Sequence, residues 1–161
     1  MHEFSVTNAE STDEFYGDLN SAAQALVDGE PDPIANMANI SALIWQYVPD
    51  LNWAGFYRVI NDELVLGPFQ GKTACIRIAI GTGVCGVAAE SGTVQRVADV
   101  HSFPGHIACD ADSRSELVIP IFAERHVIAV LDLDSPKQDR FSETDEKGLS
   151  DLVSKIANKL G

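Results

Sequence analysis

Apolar residues recur at helical spacing near both ends of the chain and in alternating or continuous runs between them. Phe15, Leu19, Ala22, Ala23 and Leu26 share one helical face. Ser11-x-x-Glu14 opens that helix as a capping box, and Gly29 stops it. Asp32-Pro33 reads as an N-cap with proline at the first helical position. Ile34, Met37, Ser41, Ile44 and Val48 then line one side of a second helix, which Pro49 ends.

Strands follow. Residues 53–60 are rich in aromatic and branched side chains, and Asn61-Asp62 makes a tight turn into 63–66. Residues 75–80 alternate, placing Ile76, Ile78 and Ile80 on one face. Gly81-Thr82-Gly83 leads into a short helix over about 84–90, stopped near Gly92, and 94–97 is a further strand. Residues 98–115 have little periodicity and read as a long loop with room for a helical turn. Two strong strands, 116–122 and 126–133, meet at Glu124-Arg125. A last helix starts at Phe141-Ser142 and carries Leu149, Leu152, Val153, Ile156 and Leu160 at helical spacing. Helices at the ends and hairpin-joined strands between them predict an α+β fold. It is a single domain over 12–161 with a flexible N-terminus over 1–11. The sheet is mostly antiparallel with five or six strands, and the N- and C-terminal helices pack on one face.

Composition narrows the function classes. The 161 residues hold 45% hydrophobic and 22% charged residues, an ordinary globular mixture. The charge is not ordinary: 24 acidic residues face 11 Lys+Arg, for a net charge of −13, and no Lys or Arg precedes Arg58. Such a chain is repelled at long range by nucleic acid and by anionic membranes. The N-terminus lacks the basic and apolar regions of a signal peptide, and no apolar run approaches a membrane span. A cytoplasmic location is the expectation. Three cysteines, at 75, 85 and 109, do not make a secreted disulfide framework.

The candidate chemistry sits on few residues. Cys85 falls in the first turn of the short helix, where backbone N–H groups favour a thiolate. A helical turn in the long loop would do the same for Cys109, beside His106 and Asp110. Each cysteine could instead be a small buried hydrophobe. Asp132 and Asp134 share one face at the end of an apolar strand, together with Ile128 and Val130. Two such charges raise each other's pKa unless a cation lies between them. Glu116, seven residues after Cys109, can project into the same place. Trp53 and Tyr57 face one side with Gly55 between them, where the missing side chain leaves room for a ligand. Gly81–Gly86 looks like an anion-binding loop at a helix start. A zinc site from His101, His106, Cys109 and a second cysteine has the wrong spacing for common knuckles, so no metal is expected.

The stretches Leu66-Gly-Pro-Phe-Gln-Gly-Lys-Thr-Ala-Cys75, Gly81-x-Gly-Val-Cys-Gly86, Asp99-Val-His-Ser-Phe-Pro-Gly-His-Ile-Ala-Cys-Asp110 and Leu131-Asp-Leu-Asp-Ser135, with Asn52-Trp-Ala-Gly-Phe-Tyr57, resemble the free methionine-R-sulfoxide reductases. These enzymes are built on a GAF-type domain, and the resemblance spans about residues 12–160. It implies a GAF fold, a redox cycle without a bound cofactor, and reduction of the free amino acid in its R epimer. By position, Cys109 matches the catalytic cysteine and Cys75 the resolving cysteine that forms a disulfide with it. Cys85 matches a third cysteine that assists recycling in some members. Trp53, Tyr57, Glu116, Asp132 and Asp134 match the substrate pocket. The resemblance further implies recycling by thioredoxin, with NADPH supplying electrons through thioredoxin reductase, and a homodimer.

The residues agree with such a reaction. A thiolate attacks sulfur, and a carboxyl group held protonated near neutrality, Glu116 or one of the aspartates, supplies a proton. Two rivals predict different behaviour. A non-catalytic GAF-like ligand sensor would keep its function without Cys109 and would usually be fused to an output domain. A metal-bound regulatory protein would contain stoichiometric zinc.

Overall fold

The computed structural model describes residues 4–6, 12–107 and 109–161. Two helices, α1 (Asp13–Val27) and α2 (Pro33–Tyr47), precede strands β1 (Trp53–Ile60), β2 (Glu63–Gly71) and β3 (Arg77–Ala79). Helix α3 (Gly83–Ser91), β4 (Gln95–Val97), β5 (Ser115–Ala123), β6 (His126–Ser135) and α4 (Glu143–Ile156) complete the chain. The described strands form one antiparallel sheet in the order β3-β2-β1-β6-β5-β4. The expected α+β layout is therefore present, with six strands.

Alternation divides the sheet between two cores. Ala54 and Phe56 of β1, Leu117, Ile119 and Ile121 of β5, and Ala129, Leu131 and Leu133 of β6 face α1, α2 and α4. Trp53, Tyr57, Val118 and Val130 point the other way, where α3 brings Val84, Cys85 and Ala88 against them. The terminal helices thus take one face and leave the other to the short helix and the long loop.

Several local expectations are corrected. Ser11 lies outside the described residues; α1 is capped by Thr12, whose side chain accepts from the Phe15 N–H. The capping box occurs instead at α4, where Ser142 and Asp145 satisfy each other's backbone. Ile34 is exposed; Ile40 and Leu43 lie in the core with Met37 and Ile44. Strand β2 runs on to Gly71, because a bulge opposes Gly67 and Pro68 to Phe56 alone and absorbs two poor strand formers. Strand β3 begins only at Arg77, so Cys75 is in a loop and Ile76 does not share the inward face of Ile78. A bulge pairs Ile121 with Ala129 but Phe122 with Val127. It turns Ile128 towards the helix-side core and away from the face of Val130.

Helices α1 and α4 are joined by a buried polar knot. The Tyr16 hydroxyl donates to Asp145 Oδ1 at 2.6 Å, and Arg140 Nη1 meets Oδ2 at 3.0 Å. Arg140 Nε also donates to the Pro49 carbonyl, tying α4 to the approach to β1. The Tyr16 ring, so held, lies over Gly148; a Cβ there would sit 2.1 Å from Tyr16 Cγ. Gly148→Ala therefore overpacks a fixed contact and should cost about 3 kcal/mol, lowering Tm by roughly 5–10 °C. A thermal melt checks this, and an unchanged Tm would show that the two helices can part freely.

Candidate functional site

Strand register assembles the site. Trp53 of β1 stands opposite Asp134 of β6, and Asp134 in turn stands opposite Glu116 of β5. One step along, Gly55 opposes Asp132, and Asp132 opposes Val118. Two rows across three strands thus place Glu116, Asp132 and Asp134 on the face away from the terminal helices. Helix α3 crosses that face and points Cys85 at them. The sulfur and one oxygen from each of Glu116 and Asp132 lie within 4.8 Å of one another. The Cys85 thiol donates to Glu116 Oε1 at 3.9 Å. Asp132 Oδ1 is buried with no hydrogen-bond partner among the described residues.

Burial decides the electrostatics. Taking a carboxylate out of water favours its protonated form, and neighbouring negative charge adds to the effect. Loss of solvation raises Glu116 well above the usual range, with further contributions from Asp132 and Asp134. Asp134 is raised by burial and then by Asp132 and Asp110. Asp132 is pushed up by burial to about 6, while hydrogen bonds from Cys85 and Glu116 pull it back. The expectation that a helix start would favour a Cys85 thiolate is overturned. Burial and the adjoining carboxylates raise this thiol well above its ordinary value, so it stays protonated.

Cys75 and Cys109 form a disulfide, their Cα atoms 5.7 Å apart across a separation of 34 residues. Cys109 is exposed and Cys75 half-buried. Among its described residues the long loop holds one short helical turn, Val100–Ser102, which ends well before Cys109. Asp110 anchors the loop instead. It accepts from Asn52 Nδ2 at 3.2 Å and lies 3.6 Å from Lys72 Nζ, while Asn52 Nδ2 also donates to Ser113. With both sulfurs joined, the zinc set weighed from the sequence is not assembled.

Trp53 and Tyr57 do more than line a wall. The Trp53 indole N–H donates to the Lys72 carbonyl, and the Tyr57 hydroxyl donates to the Cys75 carbonyl at 2.9 Å. They fasten the Cys75 loop from below. Burial, reinforced by Asp132, raises the Tyr57 phenol and keeps it a donor. Gly55 does not open space for a ligand. Phe69 stacks on Trp53 with centroids 5.1 Å apart, and a Cβ at Gly55 would lie 2.3 Å from Phe69 Cβ. Its role is to admit that stack.

A pocket opens between these parts. Trp53, Tyr57, Cys85, Cys109, Glu116, Asp132 and Asp134 all line it, so the eight sequence candidates except Cys75 meet there, and Cys75 is bonded to one of them. The Thr82-Gly83 start of α3 also lines it, as do His106, Ile107, Asp110 and Ser113. No spacing rule singled out Ile107, Ser113 or Asn52, because tertiary contacts alone bring them in. Four carboxylates and no Lys or Arg appear among these lining residues. His106 offers no steady positive charge, since burial and then His101 lower its pKa.

The GAF domain family pattern matches residues 33–160. The free methionine-R-sulfoxide reductase of Escherichia coli strain K12 is 52% identical over 91% of this chain and 89% of its own length. That of Saccharomyces cerevisiae is 42% identical over 84% of this chain and 79% of its own. The solved structure of the Neisseria meningitidis reductase in complex with its substrate is 39% identical, with a TM-score of 0.94, over 99% of this chain and 96% of its own. The chain belongs to the free methionine-R-sulfoxide reductases, within the GAF family. Membership in the reductase family fits the features that an ordinary small-ligand pocket does not need: an exposed disulfide at its mouth and acidic groups held protonated at its floor.

The buried carboxylates oppose folding as pH rises. Asp132 is raised in the folded state, so its stabilising neutral form is fully present below the unfolded value and is lost as pH climbs through about 6. Asp132→Asn removes that dependence. Relative to the parent, the variant should gain on the order of 2 kcal/mol more at pH 8 than at pH 4. Denaturant titrations at the two pH values measure it, and equal effects at both would contradict the assignment.

Proposed function

We propose that this protein reduces free methionine-R-sulfoxide to methionine, using Cys109 as nucleophile and Cys75 as the resolving thiol. The observation that carries the reading is the Cys75–Cys109 disulfide at the mouth of a pocket floored by protonatable carboxylates. The Cys109 thiolate attacks the sulfoxide sulfur. A proton passes to the sulfoxide oxygen, the oxygen moves to the Cys109 sulfur as its bond to the methionine sulfur breaks, methionine leaves, and Cys109 is a sulfenic acid. The Cys75 thiol then displaces water and closes the disulfide. A dithiol reductant returns both cysteines to thiols.

Glu116 is the proton donor in this reading. It is buried, raised by two aspartates, and receives the Cys85 thiol as a donor. Asp132 and Asp134 hold the ammonium group of the free amino acid. A pocket with four carboxylates and no Lys or Arg among its lining residues suits a cation, and Asp132 Oδ1 has an unused acceptor. A peptide-bound sulfoxide has no such ammonium, which accounts for preference for the free form. The substrate carboxylate fits the start of α3, because the first N–H groups of a helix have no intrahelical acceptor. The methyl-sulfoxide end lies against Trp53. Cys85 serves as a neutral donor to the carboxylates; its burial keeps it out of direct exchange with a bulky reductant.

Thioredoxin is the reductant, drawing on NADPH through thioredoxin reductase, and no bound cofactor takes part. The setting is cytoplasmic, and no described helix is long and apolar enough to cross a membrane. A homodimer belongs to this reading, supported by the apolar surface that Ile34 and Trp45 leave on α2.

A thioredoxin-coupled NADPH oxidation assay with separated epimers, free and peptide-bound, tests the proposal. Turnover is expected with the free R epimer and at least about 100-fold less with the others. Cys109→Ser should abolish it, and Cys75→Ser should leave one turnover and then stop. Equal activity on peptide-bound sulfoxide, or activity surviving Cys109→Ser, would refute it.

A further inference from the structure

The disulfide has a surface around it that the reaction with methionine sulfoxide does not use. Ile76, the residue after Cys75, is 69% exposed, against 39–41% for Ile34, Trp45 and Phe122, the other exposed large apolar side chains among the described residues. Its exposure is fixed by the backbone. The Ile76 carbonyl accepts from the Leu66 N–H at 2.9 Å, Tyr57 holds the Cys75 carbonyl, and Trp53 holds that of Lys72. The loop cannot roll the isoleucine inward, and Ile78, two residues on, already fills the inner site.

We infer that Ile76 and the β3 edge form the docking surface for a protein dithiol reductant that opens the Cys75–Cys109 disulfide. This rests on the proposed function, which makes that disulfide once per turnover. Two electrons must then enter. A thiolate of the reductant attacks one sulfur, a mixed disulfide forms, and the other cysteine leaves as thiolate. The reductant's second thiol breaks the mixed bond, so that it leaves oxidised and Cys75 and Cys109 are both reduced. Such an exchange needs the partner seated against the disulfide, and exposed apolar contacts commonly anchor such a seat. Ile76 adjoins one of the two sulfurs directly.

The surrounding charges favour approach by a partner of either sign. Lys72 is paired with Asp112 at 2.7 Å and Arg77 with Glu63 at 2.9 Å. With Asp110 also 3.6 Å from Lys72, this rim sets two basic against three acidic groups, a much smaller excess than the net −13 of the whole chain. Among the described residues, strand β3 is the outermost strand at that end of the sheet, which sets the isoleucine at a sheet edge.

The test compares two reductants, thioredoxin and dithiothreitol, with free methionine-R-sulfoxide as substrate. For Ile76→Ser the apparent KM for thioredoxin should rise about tenfold, while turnover with dithiothreitol stays at the parent value. Ile76→Leu should restore the parent KM, and Phe122→Ser, on the far side of the sheet, should leave both reductants unaffected. An unchanged thioredoxin KM, or an equal loss with both reductants, would overturn the inference. So would a change in sedimentation, which would mean that a second copy of the chain covers Ile76. If the parent protein turns over with neither reductant, the proposed function itself is wrong; a parent that works with both and a serine variant that does not discriminate condemns only the docking surface.

Discussion

Desolvation of a small acidic cluster is the constraint from which the rest of the structure follows. Glu116 and Asp132 are buried, with Asp134 beside them, on a sheet face that contains no compensating cation among the residues lining the pocket. Ionised together, they would destabilise the fold, so the cluster keeps protons that isolated carboxylates would lose, with Glu116 raised well above the usual range. Register makes this unavoidable: Glu116 and Asp134 are paired across β5 and β6, and Asp132 lies two residues from Asp134. The helix-side core, with the Tyr16–Asp145–Arg140 knot, supplies the stability against which that strain is held.

The same cluster explains the division of labour among the cysteines. Burial against carboxylates raises the Cys85 thiol well above its ordinary value and favours its neutral form, even though it heads a helix. Cys109 escapes this environment because its loop is anchored at the rim through Asp110, Asn52 and Lys72 rather than packed on the floor. Cys75 is brought to it by Trp53 and Tyr57, which grip the carbonyls at either end of the 72–75 loop. One wall of the pocket and the seat of Cys75 therefore depend on the same two side chains.

Much of this was legible in the sequence where the signal was local. Strong periodicity located the four helices to within a few residues, and alternation placed Asp132 and Asp134 side by side beyond Val130. The resemblance supplied the Cys75–Cys109 pairing, which no spacing could yield across 34 residues. Failures came where tertiary geometry outweighed a local rule. A helix start favours a thiolate, but burial outweighed it at Cys85. Glycine suggests ligand space, but at Gly55 the Trp53–Phe69 stack fills it. Alternation broke at Ile128 because a bulge shifts β6, and at Ile76 because the strand starts only at Arg77. Asn52 and Ile107 fall within the family stretches but no spacing gives them a role, and Ser113 carries no signature; tertiary contacts alone give them a place.

The protonation of Glu116 at neutral pH is the central point. Carbon-13-edited infrared spectroscopy of glutamate-labelled protein reads it directly through the carboxylic acid C=O band. A buried, proton-holding Glu116 predicts a band that persists at pH 7 and is absent from the Glu116→Gln variant. Loss of every glutamic acid band by pH 5 would contradict it.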